Sequence, residues 1–150
     1  MTGIDVTAIE VSGDRARIDV DLAYRWLQDT YWGAATSRET FDRAVANSFC
    51  VAAFAGGGQR GFARAITDYA TFAWVSDVVV AVDARGQGIG RAMVAYMLGH
   101  PQLRGLRRWN LNTRDAQGVY APLGFSKVTE PSAYMELLDP AYAASVTPVR

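Results

Sequence analysis

The sequence predicts an α/β fold with a mixed sheet, and three observations predict it. Apolar residues alternate or run continuously in short strand-like segments. Helical periodicity appears between those segments, and a hairpin pattern stands near the middle of the chain. The regular strand–helix alternation of a doubly wound fold is missing. Residues 4–11 and 16–20 alternate as strands would, with Ile18 and Val20 on one face. Asp21 then opens a short helix through Leu22-Ala23-Tyr24-Arg25-Trp26-Leu27 that ends before Gly33. Ser37 is a candidate N-cap for a second helix to about Asn47, with Glu39 in its first turn. Phe49 to Ala55 reads as a strand, Gly56-Gly57-Gly58 as a turn and Gly61 to Thr67 as the returning strand. Trp74 to Val82 contains Val78-Val79-Val80 and is apolar on both faces, as a central strand is. Gly90 to Leu98 is a helix: Ile89, Met93, Tyr96 and Met97 recur at helical spacing, and Gly99 and Pro101 end it. Arg107 to Leu111 reads as a strand and Asp115 to about Pro122 as a short helix. Phe125 to Val128 and Tyr134 to Leu138 read as closing strands.

The chain has 150 residues, which fits one domain; its boundaries are expected at 1–139, with a loosely held tail at 140–150. Half of the residues are hydrophobic and a fifth are charged, an ordinary globular composition that argues against disorder. Fifteen basic and fifteen acidic residues cancel without a basic stripe, which argues against nucleic-acid binding. No apolar stretch is long enough to cross a bilayer, and the N-terminus carries no secretion signal. A soluble, cytoplasmic setting is the default expectation. Cys50 lies in an apolar run without a histidine nearby, which suits a buried, inert thiol.

The chemistry concentrates at Arg85-Gly86-Gln87-Gly88-Ile89-Gly90. A strand ends near Val82 and a helix starts near Gly88, so unpaired amides gather at the positive end of a helix dipole. A diphosphate can be held there, with glycines allowing close approach and Arg85 and Arg91 adding charge. The spacing fits neither the dinucleotide fingerprint nor the P-loop. Taken alone, the loop fits a plain tight turn equally well.

The segment from Asp77 to Met93 resembles the acetyl-CoA motif of the GNAT superfamily of N-acetyltransferases, with Arg85, Gly88 and Gly90 in the positions of Arg/Gln-x-x-Gly-x-Gly/Ala. Tyr120-Ala121-Pro122-Leu123-Gly124-Phe125 resembles the family's second signature, a tyrosine shortly before Gly-Phe. The resemblance covers roughly residues 45 to 138. It implies a mixed, mostly antiparallel sheet flanked by helices, with the cofactor in the splay beside the central strand. It also implies acetyl-CoA as co-substrate, no metal, and an amine acceptor. Val78, Val79 and Val80 would pair with the pantetheine arm; Arg85, Gly86, Gln87, Gly88, Ile89, Gly90 and Arg91 would hold the pyrophosphate. Tyr120 maps onto the tyrosine that protonates the departing thiolate. Two positions depart from the pattern: Val82 stands where many relatives have proline, and Thr113 where many have asparagine.

Asp77, Asp68, Asp115 and His100 are candidate bases. Asp77 leads, because it lies on the central strand among Val75, Val78 and Val79; the alternative is a carboxylate that only caps or pairs with an arginine. His100, before Pro101, reads as a surface cap. Tyr24, Trp26, Tyr31, Trp32, Tyr69 and Phe72 could line an acceptor cleft or pack the helices on the sheet. Without an acidic groove, a small amine or a short peptide end is the expected acceptor. A homodimer is left open. Two other classes remain: a coenzyme A-binding sensor without catalysis, and an unrelated phosphate-binding domain.

Overall fold

A computed structural model describes residues 8–145. The chain divides into two compact units, one ending at Asn112 and the other beginning at Thr113. The first unit carries a five-stranded sheet in the order β1-β2-β3-β4-β5: Glu10–Ser12, Phe49–Ala55, Gly58–Thr67, Phe72–Val80 and Arg108–Asn110. Neighbours are antiparallel except β4 and β5, which run parallel. The mixed, mostly antiparallel sheet flanked by helices is therefore the observed architecture.

Two helices precede β2, and each starts on a side-chain cap. In α1 (Val20–Gln28), the Asp19 carboxylate accepts from the Leu22 amide; in α2 (Arg38–Ala46), Ser37 accepts from the Thr40 amide. Ala23 and Leu27 of α1 and Phe41 and Val45 of α2 share one core with Cys50, Ala52, Phe62 and Val79 from β2, β3 and β4. The buried side chain of Gln59 ties α1 to β3. Its Oε1 accepts from the Asp19 amide at 2.8 Å, and its Nε2 donates to the Asp19 carbonyl at 3.1 Å.

Helix α3 (Ile89–Leu98) buries Ile89, Met93, Val94 and Met97. It comes so close to β3 that a Cβ on Gly61 would lie 2.9 Å from Met93 Cε and 3.0 Å from Ile89 Cγ2. Glycine at that position sets the distance between α3 and the sheet.

Residues 16–20 are not a strand. Asp14 accepts from the Ala16 amide and caps a single helical turn at Arg15–Arg17, and Asp19 then caps α1, which starts at Val20, one residue before Asp21. The alternation of Ile18 and Val20 reflects a buried contact followed by a first helical turn. The expected strand over 4–11 lies partly outside the described residues; of its described part, Glu10 and Val11 belong to β1, which runs one residue further to Ser12.

In the second unit, α4 (Gln117–Tyr120) continues into a helical turn at Ala121–Leu123, and α5 (Pro140–Ser145) starts on Asp139, which accepts from the Tyr142 amide. The strands expected at Phe125–Val128 and Tyr134–Leu138 are absent among the described residues. A strand exists only through its ladder, and these extended segments have none in the structure. Part of the expected tail is helical instead.

Gly61→Val should push α3 off β3. Overpacking of this kind costs about 1–3 kcal/mol, to be read as a lowered urea midpoint with an unchanged slope.

Candidate active site

The corner between β4 and α3 is built from backbone conformation. After β4, a helical turn at Val82–Ala84 leads to Arg85, followed by Gly86 and Gly88 at φ +76° and +85°. These left-handed values strain any residue with a Cβ. Gly88 is the N-cap of α3 and supplies no side-chain cap, unlike Asp19 and Ser37 at the other two helices of the unit. The first intrahelical bond runs from the Ala92 amide to the Gly88 carbonyl, at 2.9 Å. The amides of Ile89, Gly90 and Arg91 thus have no acceptor within the helix, at the end where the dipole is positive. Arg85 and Arg91 are exposed beside them. Asp83, the acidic residue of the corner, faces Arg60 at 3.9 Å.

The strand leading to this corner has an open edge. β5 pairs with β4 only from Phe72↔Arg108 to Trp74↔Asn110, so beyond Trp74 the outer edge of β4 has no ladder partner among the described residues. On the inner side, the Ala81 amide donates to the Arg60 carbonyl at 2.8 Å and Val80 stands opposite Gly61. Ladder alternation then turns the main-chain groups of Val79 towards β3 and those of Val80 towards the open edge. Arg85 Nε donates to the Val80 carbonyl across that edge, at 3.2 Å. The geometry offers main-chain donors and acceptors for an added extended segment, ending at a cradle for an anion.

A bulge interrupts β4 just before. Phe62 pairs with Val79 and Arg64 with Ser76, so Ala63 faces two residues, Asp77 and Val78. Asp77 has φ +53°. Its carboxylate is enclosed: Arg64 Nε donates to Oδ2 at 2.6 Å and Trp32 Nε1 to Oδ1 at 3.3 Å. The remaining guanidinium nitrogens of Arg64 donate to Ser48 Oγ at 3.1 Å and Ser76 Oγ at 3.3 Å.

Comparison with known proteins agrees with this geometry. A family model described as an acetyltransferase (GNAT) domain matches residues 46–127. The chain belongs to the GNAT acetyltransferase family. A crystal structure from Xanthomonas campestris pv. campestris assigned to the GNAT family is 40% identical, with a TM-score of 0.82 over 89% of this chain and 94% of that one. A diaminobutyrate acetyltransferase from Paenibacillus lautus, solved with L-2,4-diaminobutyric acid and coenzyme A, shares the fold at 21% identity and a TM-score of 0.58, over 78% and 72% of the two chains. The ribosomal-protein-S18-alanine N-acetyltransferase of Escherichia coli shares it at 20% identity and a TM-score of 0.61, over 81% and 80%. No curated protein matches the chain. GNAT membership carries acyl transfer with acetyl-CoA as the family's donor.

Within this GNAT framework the expected residues fall into groups. Arg85 to Arg91 gather at one corner, and Val78 to Val80 lead into it. Tyr120, half-buried at the end of α4, lies in the second unit, where its ring meets Phe125 edge-on at 6.0 Å. Thr113 Oγ1 accepts from the Ala116 amide, which makes Thr113 a local cap. Asp68 caps the β3–β4 turn. Hydrogen bonds from the Thr71 hydroxyl and then from the Thr71 and Ala70 amides hold its carboxyl well below the usual range. His100 Nδ1 accepts from the Gln102 amide, so it too is a cap. Tyr24 packs on Phe41 and donates to the Thr36 carbonyl, whereas Tyr31, Trp32 and Tyr69 are exposed. Sequence reasoning allowed Asp77 an arginine partner but did not identify Arg64 or Trp32. The signal present was a charged residue, Arg64, amid the apolar run of β3.

Cys50 is 2% exposed, and burial pushes its thiol up to about 11. Iodoacetamide near pH 8 should therefore leave the native protein unmodified and label it fully in denaturant, because the thiolate is the nucleophile. The mass of the intact protein reads the result.

Proposed function

We propose that the chain moves an acetyl group from acetyl-CoA directly to a primary amine of a small molecule or short peptide. The reading takes residues 1–139 as one transferase domain acting in the cytoplasm. The observation that carries it is the uncapped start of α3 at two left-handed glycines, reached by a β4 edge that β5 leaves open.

The bound co-substrate supplies the thioester; the protein supplies binding, orientation and protons. The amides from Gln87 to Arg91 grip the pyrophosphate, helped by the charges of Arg85 and Arg91. Val78 and Val80 offer main-chain groups to the pantetheine arm, and Val79 anchors the same strand to β3. Tyr120 donates the proton that the departing thiolate needs. The amine must be neutral to attack. Asp77 leads the candidate bases by sequence, but both of its oxygens already accept hydrogen bonds from Arg64 and Trp32. Water is the better proposed route for the amine's proton, and Asp77 is better suited to holding the strand.

At about a hundred times its Kd, acetyl-CoA should raise Tm by roughly 5–10 °C through ligand linkage. Gly88→Glu sets a side chain and a negative charge at the cradle on a strained φ, and should abolish the rise. No rise for the wild type under saturating acetyl-CoA would overturn the proposal.

Tyr120→Phe should lower amine-dependent thiol release by roughly a hundredfold while leaving the Tm rise in place. Binding without turnover, across a panel of amines, would move the reading to a coenzyme A sensor.

A further inference from the structure

The Arg64–Asp77 pair is the most enclosed ion pair described in the protein, with side chains 13% and 10% exposed. It sits in the sheet, where removing either charge leaves the other desolvated without compensation. It also sits on the one irregularity of β4. The bulge puts two consecutive side chains, Ser76 and Asp77, within reach of the same guanidinium. Without the extra residue, the side chain next to Ser76 would point to the opposite face.

The bulge lies on the route of the substrate. If the pyrophosphate sits at the corner after Val80, an arm laid along the open edge runs back towards lower residue numbers. Its thioester end then comes to Val78 and the bulge, far from the phosphates. A left-handed φ at a residue with a Cβ is unfavourable and persists only when its surroundings hold it. Here Arg64 pulls the carboxylate from β3, Trp32 holds the other oxygen, and Ser48 and Ser76 fix the guanidinium.

We infer that Arg64 and Asp77 are a positioning pair, which locks the β4 bulge and thereby aims the Val78 main chain at the thioester end of the arm. This rests on the acyl-transfer reading above. The pair touches no reacting atom; it acts through the backbone.

The inference separates from a base role for Asp77 by a substitution that keeps the bulge while removing the carboxylate. Asparagine tolerates a left-handed φ and can still accept from Arg64. Glycine adopts it too, but has no side chain to hold the bulged form. Asp77→Asn should keep kcat within about threefold of wild type, with an unchanged acidic limb of the pH–rate profile. In the double variant Arg64→Met with Asp77→Gly, which removes both charges and frees the bulge, kcat should fall at least about tenfold. In Asp77→Val, a β-branched residue that resists this φ, kcat should fall at least about tenfold. Its Kd for acetyl-CoA should stay within about threefold, because the phosphate cradle is untouched.

Turnover is measured as thiol release with acetyl-CoA and the amine that wild type uses best in a panel. The double variant leaves no buried charge unpaired, so its cooperative melting keeps the test valid should Asp77→Val fail to fold. Loss of activity in well-folded Asp77→Asn would overturn the inference, and so would an unimpaired Asp77→Val or an unimpaired double variant. A wild type that binds acetyl-CoA but turns over no amine would sink the transfer reading instead. The lock on the bulge would then be read from the amide–Hα coupling of residue 77. That coupling should report a left-handed φ in wild type and Asp77→Asn, and an extended φ at this position in wild type would overturn the lock.

Discussion

The structure is organised around amides that the fold leaves unsatisfied. A helix normally covers its first N–H groups with a polar side chain, and α1 and α2 do so with Asp19 and Ser37. Helix α3 starts on Gly88 and does not. Such a start would fray if α3 depended on its own ends for order. It is held instead by Ile89, Met93, Val94 and Met97, all buried, and by the close seat over Gly61. The packing fixes the helix, so its N-terminus can stay bare and point at an anion with little reorganisation on binding.

The same logic governs the sheet. A long exposed edge of unpaired main-chain groups invites association with other strands. β5 covers β4 for only three residues and then leaves it. The uncovered remainder of β4 is short, interrupted by a bulge, and closed at its far end by Arg85 reaching the Val80 carbonyl. An edge this brief suits a single extended ligand better than another strand. Edge and cradle lie end to end, so one molecule with an extended arm and an anionic head satisfies both. That shape matches the family's thioester donor.

Legibility in the sequence tracked the range of the interactions. The strand–loop–helix corner was readable because β4, Gly86, Gly88 and α3 are contiguous, and glycine spacing records backbone conformation directly. The β2–β3 hairpin and the Ser37 cap were readable for the same reason. Residues 16–20 misled because period-two alternation over five residues is also what a capped turn followed by a helix can produce; Asp14 and Asp19 decide it. The segments at 125–128 and 134–138 carry strand-like composition, but composition does not supply a ladder. The environment of Asp77 depends on a partner across a hairpin, on a bulge that changes facing, and on Trp32 from a distant loop. No local pattern encodes that.

Asp77 shows how one side chain can suggest opposite roles from sequence and from geometry. Among valines, a carboxylate suggests a desolvated base. With its oxygens engaged by Arg64 and Trp32, the same carboxylate is a strut. If a left-handed backbone were all that this position required, glycine would serve at lower cost. Glycine, however, would also let β4 relax to regular pairing, since it favours neither conformation. An aspartate bound to a fixed guanidinium lowers the energy of the bulged form alone, because only there does the side chain reach Arg64. The ion pair therefore selects one of two strand registers, and register decides which amides face the open edge.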